Sequence, residues 1–478
     1  MKKIFYKATL IVLFAGLFIS CESELDQIPY DVASDETAYV TAADFENGIR
    51  GVYESLMSSG IYGSSDAGSM LSAPDVMSDN VVQAQKGRRT KTDLHNWYYT
   101  PSTDPLLGLY AQSYELIYRA NLLLENAEDF EGDNKTNIVA EARALRGLAH
   151  LNLVSFWGKI PTQSSDAMGS LGIAYMSETD PNAEPARETV GEVYAKIVED
   201  LSAAATNINS ENPEGRMGKD AVYTLLSRVY LYMGQWQNAV DAANNVSTPI
   251  ATRDEVVGVW EDANRAGLLL YIPNNPPVTN FNIGVAWSQG GLTNLIPEYV
   301  VSFEFFNKFS NEDIRKEAYI ISASNNQDNL DFNAIKKLLG RDGSTNGLVD
   351  FKILRAEEAH LNKAEALYNL GQEGPARNTL DVIRNQRYTS YTGGESGTAL
   401  RDAIRLERRL EFAFEYQRFF DLKRWGLPVT RTNAGDLADG SGTPSEVLTL
   451  GADSHKFQMP ISQQARDQNP NLQQNPNY

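Results

Sequence analysis

The stretch LRDAIRLERRLEFAFEYQRFFDLKRWG, Leu400 to Gly426, decides how the rest of the chain is read. Its residues favour helix and no Pro or Gly interrupts them before Gly426, so one long helix is expected, stopped by Gly426 and Pro428. Leu400, Ala403, Ile404, Leu410 and Phe414 fall near one stripe, while Phe412, Phe419, Phe420 and Trp425 carry apolar surface well beyond it. Most of this helix is therefore expected to be buried. Glu407, Glu411 and Glu415 recur at every fourth residue, with Arg408 just before Glu411 and Arg418 just after Glu415. Carboxylates stacked that way repel unless cations answer them. Such a ladder could bind a metal cation or share protons. The interleaved arginines favour a buried ion-pair network instead, because buried charge is tolerated mainly when paired.

Working outward, Asp220 to Val246 follows a tetratricopeptide template, with Tyr223, Leu226, Tyr230, Gly234, Trp236 and Ala239 at the positions where two antiparallel helices meet through a small residue and a turn glycine. His360 to Ile383 repeats it, with Gly371 and Ala376 in place of Gly234 and Ala239. The helical stretch from Asn137 to Trp157, closed by Gly158, reads as a first half-repeat. Leu106 to Asp129 and Glu188 to Ile208 are further helices, and Thr41 with Asp44 opens another that runs to Ser59. The turn glycines are spaced far more widely than the period of about 34 residues of a tandem array. The expected fold is therefore all-α, mostly helical: a tetratricopeptide-like helix-pair superhelix interrupted by long loop-rich insertions. These run from Ser247 to Ile296 and from Ser310 to Asp350, and the first carries Trp260, Tyr271, Phe281 and Trp287. Gly60 to Thr100 is a second kind of irregular stretch, rich in Gly and Ser and ending in His95-Asn96-Trp97-Tyr98-Tyr99. Loops of that length on a rigid scaffold are where ligand contacts concentrate. Successive side chains of an extended segment alternate in direction, so at least one of Trp97, Tyr98 and Tyr99 is expected to face solvent.

At the start, Lys2, Lys3 and Lys7 precede an apolar run from Ala8 to Ile19, then Ser20 and Cys21. This layout reads as a signal peptide over 1–20; the run is too short to cross a bilayer. An acidic tether spans 21–36, and the body divides into an N-terminal helical part (37–246), the loop-rich insertions (247–350) and a C-terminal part (351–478) holding one tetratricopeptide-like unit, the signature helix and a tail. Cys21 is the sole cysteine among 478 residues, which excludes disulfides, cysteine-based zinc sites and a catalytic thiol in the body.

The balance of 62 acidic against 42 basic residues, net −20, argues against nucleic acid or an anionic membrane surface as partner. Four histidines are present, His95, His150, His360 and His455. Glu357 and His360 make one Glu-x-x-His step, but a carboxylate-bridged metal bundle needs a second, and Gly147 stands three before His150. No metal site, no cofactor and no catalytic residue is expected: nucleophile-elbow, phosphate-loop and dinucleotide patterns are missing. A pair of carboxylates for glycoside hydrolysis is not excluded by composition alone.

ERRLEFAFEYQRFFDLKRWG resembles the C-terminal signature helix of SusD/RagB-type outer-membrane lipoproteins, with Tyr416 and Gln417 where that family usually has Gly and His, and Lys423 where Arg is common. LYAQSYELIYRANLLLENA, EARALRGLAHLNLVSFWGKIP, RETVGEVYAKIVEDL, AVYTLLSRVYLYMGQWQNA and ILRAEEAHLNKAEALYNLG resemble further blocks in the family's order, and the tail KFQMPISQQARDQNPNLQQNPNY its closing motif, with Met459, Ser462 and Asn477 as departures. FISC resembles a lipobox, which makes Cys21 the lipidated first residue of the mature protein, and Glu22, Glu24 and Asp26 resemble a surface-export tract. The resemblance implies four tetratricopeptide-like units, a lipid anchor in the outer membrane facing the cell exterior, and a SusC-like TonB-dependent transporter as partner. It also implies a non-enzymatic binder of oligosaccharide. By position, the ligand residues are expected among Asp75, Asp79, Asn80, Trp97 and Tyr99 and, in the first insertion, Asn280, Asn282 and Trp287. Two other readings stay open: a binder of peptide or another nutrient in the same role, and a tetratricopeptide scaffold whose ligand is protein.

Overall fold

The computed structural model describes residues 39–478 apart from positions 129, 131, 181, 291–294, 326–328 and 342–346; the expected signal, tether and Cys21 lie outside the described residues. Helices dominate. They are α1 (Ala42–Ser55), α2 (Leu107–Asn126), α3 (Lys135–Trp157), α4 (Val190–Asn207), α5 (Lys219–Tyr232), α6 (Trp236–Ala243), α7 (Ala356–Asn369), α8 (Glu373–Arg387), α9 (Gly397–Glu411) and α10 (Arg418–Arg424), with shorter turns between. Each of α1 to α8 packs on the next, so these helices and α9 form one continuous stack. Thr41 and Asp44 close a reciprocal cap at the start of α1, and Thr189 and Glu192 do the same for α4. The turns of the two tetratricopeptide-like pairs, α5/α6 and α7/α8, rest on Gly234 and Gly371, whose φ values of 69° and 74° favour a residue without Cβ.

Buried ion pairs join neighbouring helices in the stack. Arg146 of α3 holds Asp200 of α4 through Nε and Nη2 at 2.7 and 2.6 Å, and Arg228 of α5 holds Glu358 of α7 at 2.5 and 2.6 Å. His150 is a core histidine: Met176 N–H donates to its Nε2 at 3.1 Å, and burial pushes its pKa down to about 3, so it stays neutral. Glu357 is taken by Arg387 at 2.8 Å and His360 Nδ1 faces Ala356 O at 3.2 Å, which makes the Glu-x-x-His step structural.

Strands occupy part of the stretch read as loop-rich. β1 (Val81–Gln83), β3 (Tyr299–Val301), β5 (Leu330–Ile335) and β4 (Ile320–Asn325) form an antiparallel sheet in that order, β2 (Leu268–Ile272) pairs β6 (Phe351–Arg355), and β7 (Val429–Thr430) pairs β8 (Thr449–Leu450). Most of these strands are too short, and their partners too distant in sequence, for an alternation pattern to announce them.

The single long helix over Leu400 to Gly426 is not what forms. α9 ends at Glu411, six residues turn, and α10 starts at Arg418. Phe414 and Tyr416 adopt φ of 64° and 58° inside the turn, a conformation costly for bulky side chains. The compensation comes from Asp75, whose buried carboxylate accepts Phe414 N–H at 3.2 Å and Tyr416 N–H at 3.1 Å. The carboxylate ladder is satisfied, but by other cations than the neighbouring arginines. Arg387, Arg355 and Arg315 converge on Glu411 at 2.9 to 3.1 Å, Arg315 and Arg384 reach Glu407, and Glu415 takes Arg355 at 2.8 Å together with Lys337. Arg408 turns instead to Asp421 at 2.9 Å, and Arg418 to Asp79 at 2.8 Å.

Candidate ligand cleft

The irregular stretch after β1 lines two clefts that share Arg89, and the loop between β7 and β8 forms the opposite wall of the smaller one. The larger, about 660 Å³, runs past Asp66, Lys91, Asp104, Thr103 and Gln463. The second, about 470 Å³, lies between Gln83, Gln85 and Asn96 on one wall and Asn433, Thr443 and Glu446 on the other. The second is the more polar of the two, and both fall within the expected size range for small-ligand pockets.

The shared wall is held rigidly. Buried Glu298 takes Lys91 at 3.3 Å, and also Arg88 and Thr90; Gln83 donates to Thr92 Oγ1 at 2.9 Å and to Tyr299 Oη at 3.1 Å. Burial lowers the Lys91 pKa while Glu298 opposes the shift. Arg89, Lys91 and Trp97 have φ of 58°, 59° and 57°. Strained backbone of this kind survives where its surroundings over-determine it, and it clusters at ligand sites. His95 ties the two walls together: Nδ1 lies 2.8 Å from Val76 O and Nε2 2.9 Å from Ser445 Oγ. A carbonyl can only accept, so Nδ1 carries the proton and Ser445 donates to Nε2. Burial and the Arg431 charge hold His95 well below its usual pKa, which fixes that neutral form.

Asn96 Nδ2 and Tyr98 Oη hold the two oxygens of Glu446 at 3.1 and 3.0 Å, which ties an aromatic ring to a residue of the cleft wall, although the ring itself does not line the cleft. Tyr98 is 49% exposed, so one of the three consecutive aromatics does face solvent, although Trp97 at φ of 57° departs from the extended backbone on which the alternation argument rests. Asn96 Oδ1 is left without a hydrogen-bond partner among the described residues.

The residues expected from sequence fall into four groups. Asp75, Asp79 and Asn80 come together behind the turn between α9 and α10: Asn80 donates to Asp75 at 2.8 Å, and Asp79 pairs Arg418 and Arg409. Burial pushes the Asp75 pKa up to about 6, and the arginines drive Asp79 the other way against the cost of its own burial. Trp97 and Tyr99 back the cleft from inside. Trp97 is 4% exposed, donates Nε1–H to Met77 O at 3.1 Å and has the Arg431 guanidinium 4.1 Å from its ring centre; Tyr99 is buried with its hydroxyl on Lys456 O. Trp287, 1% exposed, packs edge-on against Tyr299 and Phe414. Trp97 and Trp287, expected as ligand residues, are both buried and neither offers a ring face to solvent. Asn280 and Asn282 are exposed on the first insertion and line neither cleft. Missed from the sequence were Arg89, Asn96, Tyr98 and the wall at Asn433, Thr443 and Glu446. The last three lie in RTNAGDLADGSGTPSE, whose Gly, Asn, Ser and Thr content is a loop signal of the kind noted elsewhere.

Asp104 lines the larger cleft with Oδ1 accepting Leu106 N–H at 2.9 Å and Oδ2 buried without a partner among the described residues; burial pushes its pKa from 3.8 up to about 7. The folded state thus holds a proton that the unfolded chain releases above its own pKa. Stability is lost on this account as pH rises from about 4 through about 7. Asp104→Asn is expected to raise stability by roughly 1–2 kcal/mol at pH 8 and by almost nothing at pH 4. Thermal melts at the two pH values check it, and an equal shift at both removes the carboxyl from the account.

Among the described residues no cluster of three or more His, Cys, Asp or Glu side chains is placed to hold a metal ion, and no helix is long and apolar enough to cross a membrane.

Comparison with known proteins gives a consistent result. Residues 305–478 match the model of the SusD family, and residues 29–231 match one described as starch-binding associating with outer membrane. SusD-like protein P2 of Formosa agariphila is 25% identical over 89% of this chain and 91% of its own length, and a SusD-like protein of Bacteroides ovatus is 23% identical over 88% and 83%. Among solved structures, a SusD superfamily protein from Bacteroides thetaiotaomicron superposes with a TM-score of 0.80 at 25% identity, covering 91% of this chain and all of its own. Surface glycan-binding protein A from Bacteroides fluxus shares the fold at a TM-score of 0.71 and 19% identity, over 92% and 100%.

Proposed function

This chain is a SusD/RagB-type protein, and from that premise we propose that it is a cell-surface nutrient-binding lipoprotein that captures oligosaccharide without catalysis and passes it to a SusC-like TonB-dependent transporter. The observation that carries the reading is Tyr98, a half-exposed ring fixed through Oη to Glu446, itself on the wall of a cleft lined by amides and hydroxyls. A rigid aromatic face matches the C–H face of a pyranose, and Asn96, Asn433, Gln85 and Thr443 supply donors and acceptors for its hydroxyls. Desolvating these groups is offset only by a ligand that replaces their hydrogen bonds, which favours a polyhydroxylated one. Asp75, Asp79, Asn80, Trp97, Tyr99 and Trp287 act in this reading as supports that set the cleft's walls, while Asn280 and Asn282 stand free on their loop for contact with ligand or transporter. Glu446 holds Asn96 and Tyr98 in place, a positioning role that asks for no proton transfer.

A glycan array probed with residues 22–478 tests the ligand class. Retention of an oligosaccharide with no new reducing ends after prolonged incubation is expected. Retention of peptides alone overturns the sugar assignment, and steady release of reducing ends makes the protein a hydrolase. For the anchor, Cys21→Ala is expected to move the protein from the membrane fraction to the soluble one. Persistence in the membrane with unchanged acyl content assigns the attachment elsewhere.

A further inference from the structure

On the helical stack, sharing no residue with the two clefts, lies a third cavity of about 340 Å³. Its walls come from the start of α6 (Trp236), from α7 (Glu365, Tyr368), from α9 (Arg401, Arg405) and from the end of α10 (Arg424) with Trp425 beyond it. All the charges on it but one are answered. Arg424 holds both oxygens of Glu365 at 2.5 and 2.6 Å and Asp421 at 2.8 Å, and Trp425 Nε1–H donates to the same Glu365 at 2.7 Å. Arg401 pairs with exposed Asp402 at 2.9 Å. Arg405 has no ion pair and no hydrogen bond among the described residues; its guanidinium lies over the Trp425 ring, 4.6 Å from the centre. Half-burial lowers the Arg405 pKa, Glu365 opposes the shift and Arg401 and Arg424 add to it, so the position is short of negative charge.

We infer that this cavity is a binding site for a carboxylate-bearing pyranose, with Arg405 taking the carboxylate and Trp236, Tyr368 and Trp425 walling the sugar ring. A guanidinium offers parallel N–H donors that fit a carboxylate in two-point fashion, and an indole already stacked on it holds that fork in place. One unanswered cation matches a monoanion; a phosphate dianion would leave a charge unbalanced in a partly dehydrated site. The volume lies at the small end of the range of about 300–1,000 Å³ for ligand pockets, which suits one sugar unit rather than a long chain. Asn369 and Thr162, which also line the cavity, supply polar groups for ring hydroxyls. The choice of a sugar among carboxylates rests on the reading of the chain as a glycan binder; the carboxylate site itself does not.

The probe is glucuronate, titrated by calorimetry into the wild-type protein, Arg405→Gln and Arg405→Lys, with glucose and acetate run in parallel. Wild type is expected to bind glucuronate more tightly than either control, with affinity falling as salt is added. Arg405→Gln is expected to weaken it by about tenfold or more, and Arg405→Lys to fall between, since a lysine keeps the charge and loses the fork. Circular dichroism accompanies each variant, and should Arg405→Gln misfold, the weakening in Arg405→Lys decides. Wild type that ignores glucuronate, or variants that bind it undiminished, overturn the site. Acetate binding as tightly as glucuronate overturns the sugar and leaves a bare anion pocket. Loss of neutral-glycan binding on the array falls on the cleft, and leaves the glucuronate result to stand by itself.

Discussion

Glu411→Ala is expected to cost about 3–5 kcal/mol of stability, the range measured when one partner of a buried ion pair is removed and the other charge is left behind. Glu411 is fully buried and answers Arg387 through both oxygens at 2.9 and 3.0 Å, Arg355 at 3.0 Å and Arg315 at 3.1 Å. These three arginines come from α8, from β6 and from the segment before β4, so the carboxylate joins the helical stack to the sheet region. Its removal leaves three guanidiniums facing one another, with Glu357, Glu407 and Glu415 each still committed. Burial alone would raise the Glu411 pKa, and Arg387, Arg355 and Arg315 together hold it well below 4.5. Its contribution is therefore in place above pH 4.5 and is lost only as pH falls towards the depressed folded value. Denaturant unfolding at pH 7 measures the cost. A double-mutant cycle adds a sharper reading, because coupling of Glu411 to Arg387 is expected to exceed coupling to Arg408, which spends its charge on Asp421. A midpoint equal to wild type would mean that the ladder does not bear on stability.

The same site shows what sequence can and cannot disclose. The need for cations around Glu407, Glu411 and Glu415 follows from burial and spacing, which are local facts. Which cations meet it does not, because Arg315, Arg355 and Arg387 reach the ladder from separate elements and no periodicity links them to it. The break between α9 and α10 was hidden for a related reason. FAFEYQ contains no helix-breaking residue, and what turns the chain is a carboxylate at Asp75, over 300 positions earlier, offering two acceptors to backbone N–H groups that a helix would have used. By contrast, the α5/α6 and α7/α8 pairs were legible because a glycine turn, a small contact residue and an apolar stripe are all local. In the candidate site, stretch 60–100 was legible as functional loop, and alternation required an exposed ring. Which of the three rings is exposed depends on Arg431, whose guanidinium covers Trp97 from a loop far along the chain.

That placement sets the two tryptophan and tyrosine neighbours apart experimentally. Trp97→Ala is expected to destabilise the protein by about 3–5 kcal/mol, since it removes a buried indole, opens a cavity and deprives Arg431 of the ring it lies against. Tyr98→Ala removes a ring that is half in water and leaves Glu446 its bond from Asn96, so its thermal midpoint is expected to stay close to wild type. Its effect falls on binding instead. Loss of the one exposed ring of a small site is expected to cost about 2 kcal/mol or more, roughly thirtyfold in affinity, for whichever oligosaccharide the array retains. Calorimetry with that oligosaccharide and thermal melts on both variants separate the outcomes. If Trp97→Ala keeps the wild-type midpoint and loses the ligand, the buried ring opens to the ligand after all and the division of roles drawn from its burial fails. If Tyr98→Ala binds undiminished, the cleft between Asn96 and Glu446 is not where the sugar sits, and the exposed amides Asn280 and Asn282 become the next positions to truncate.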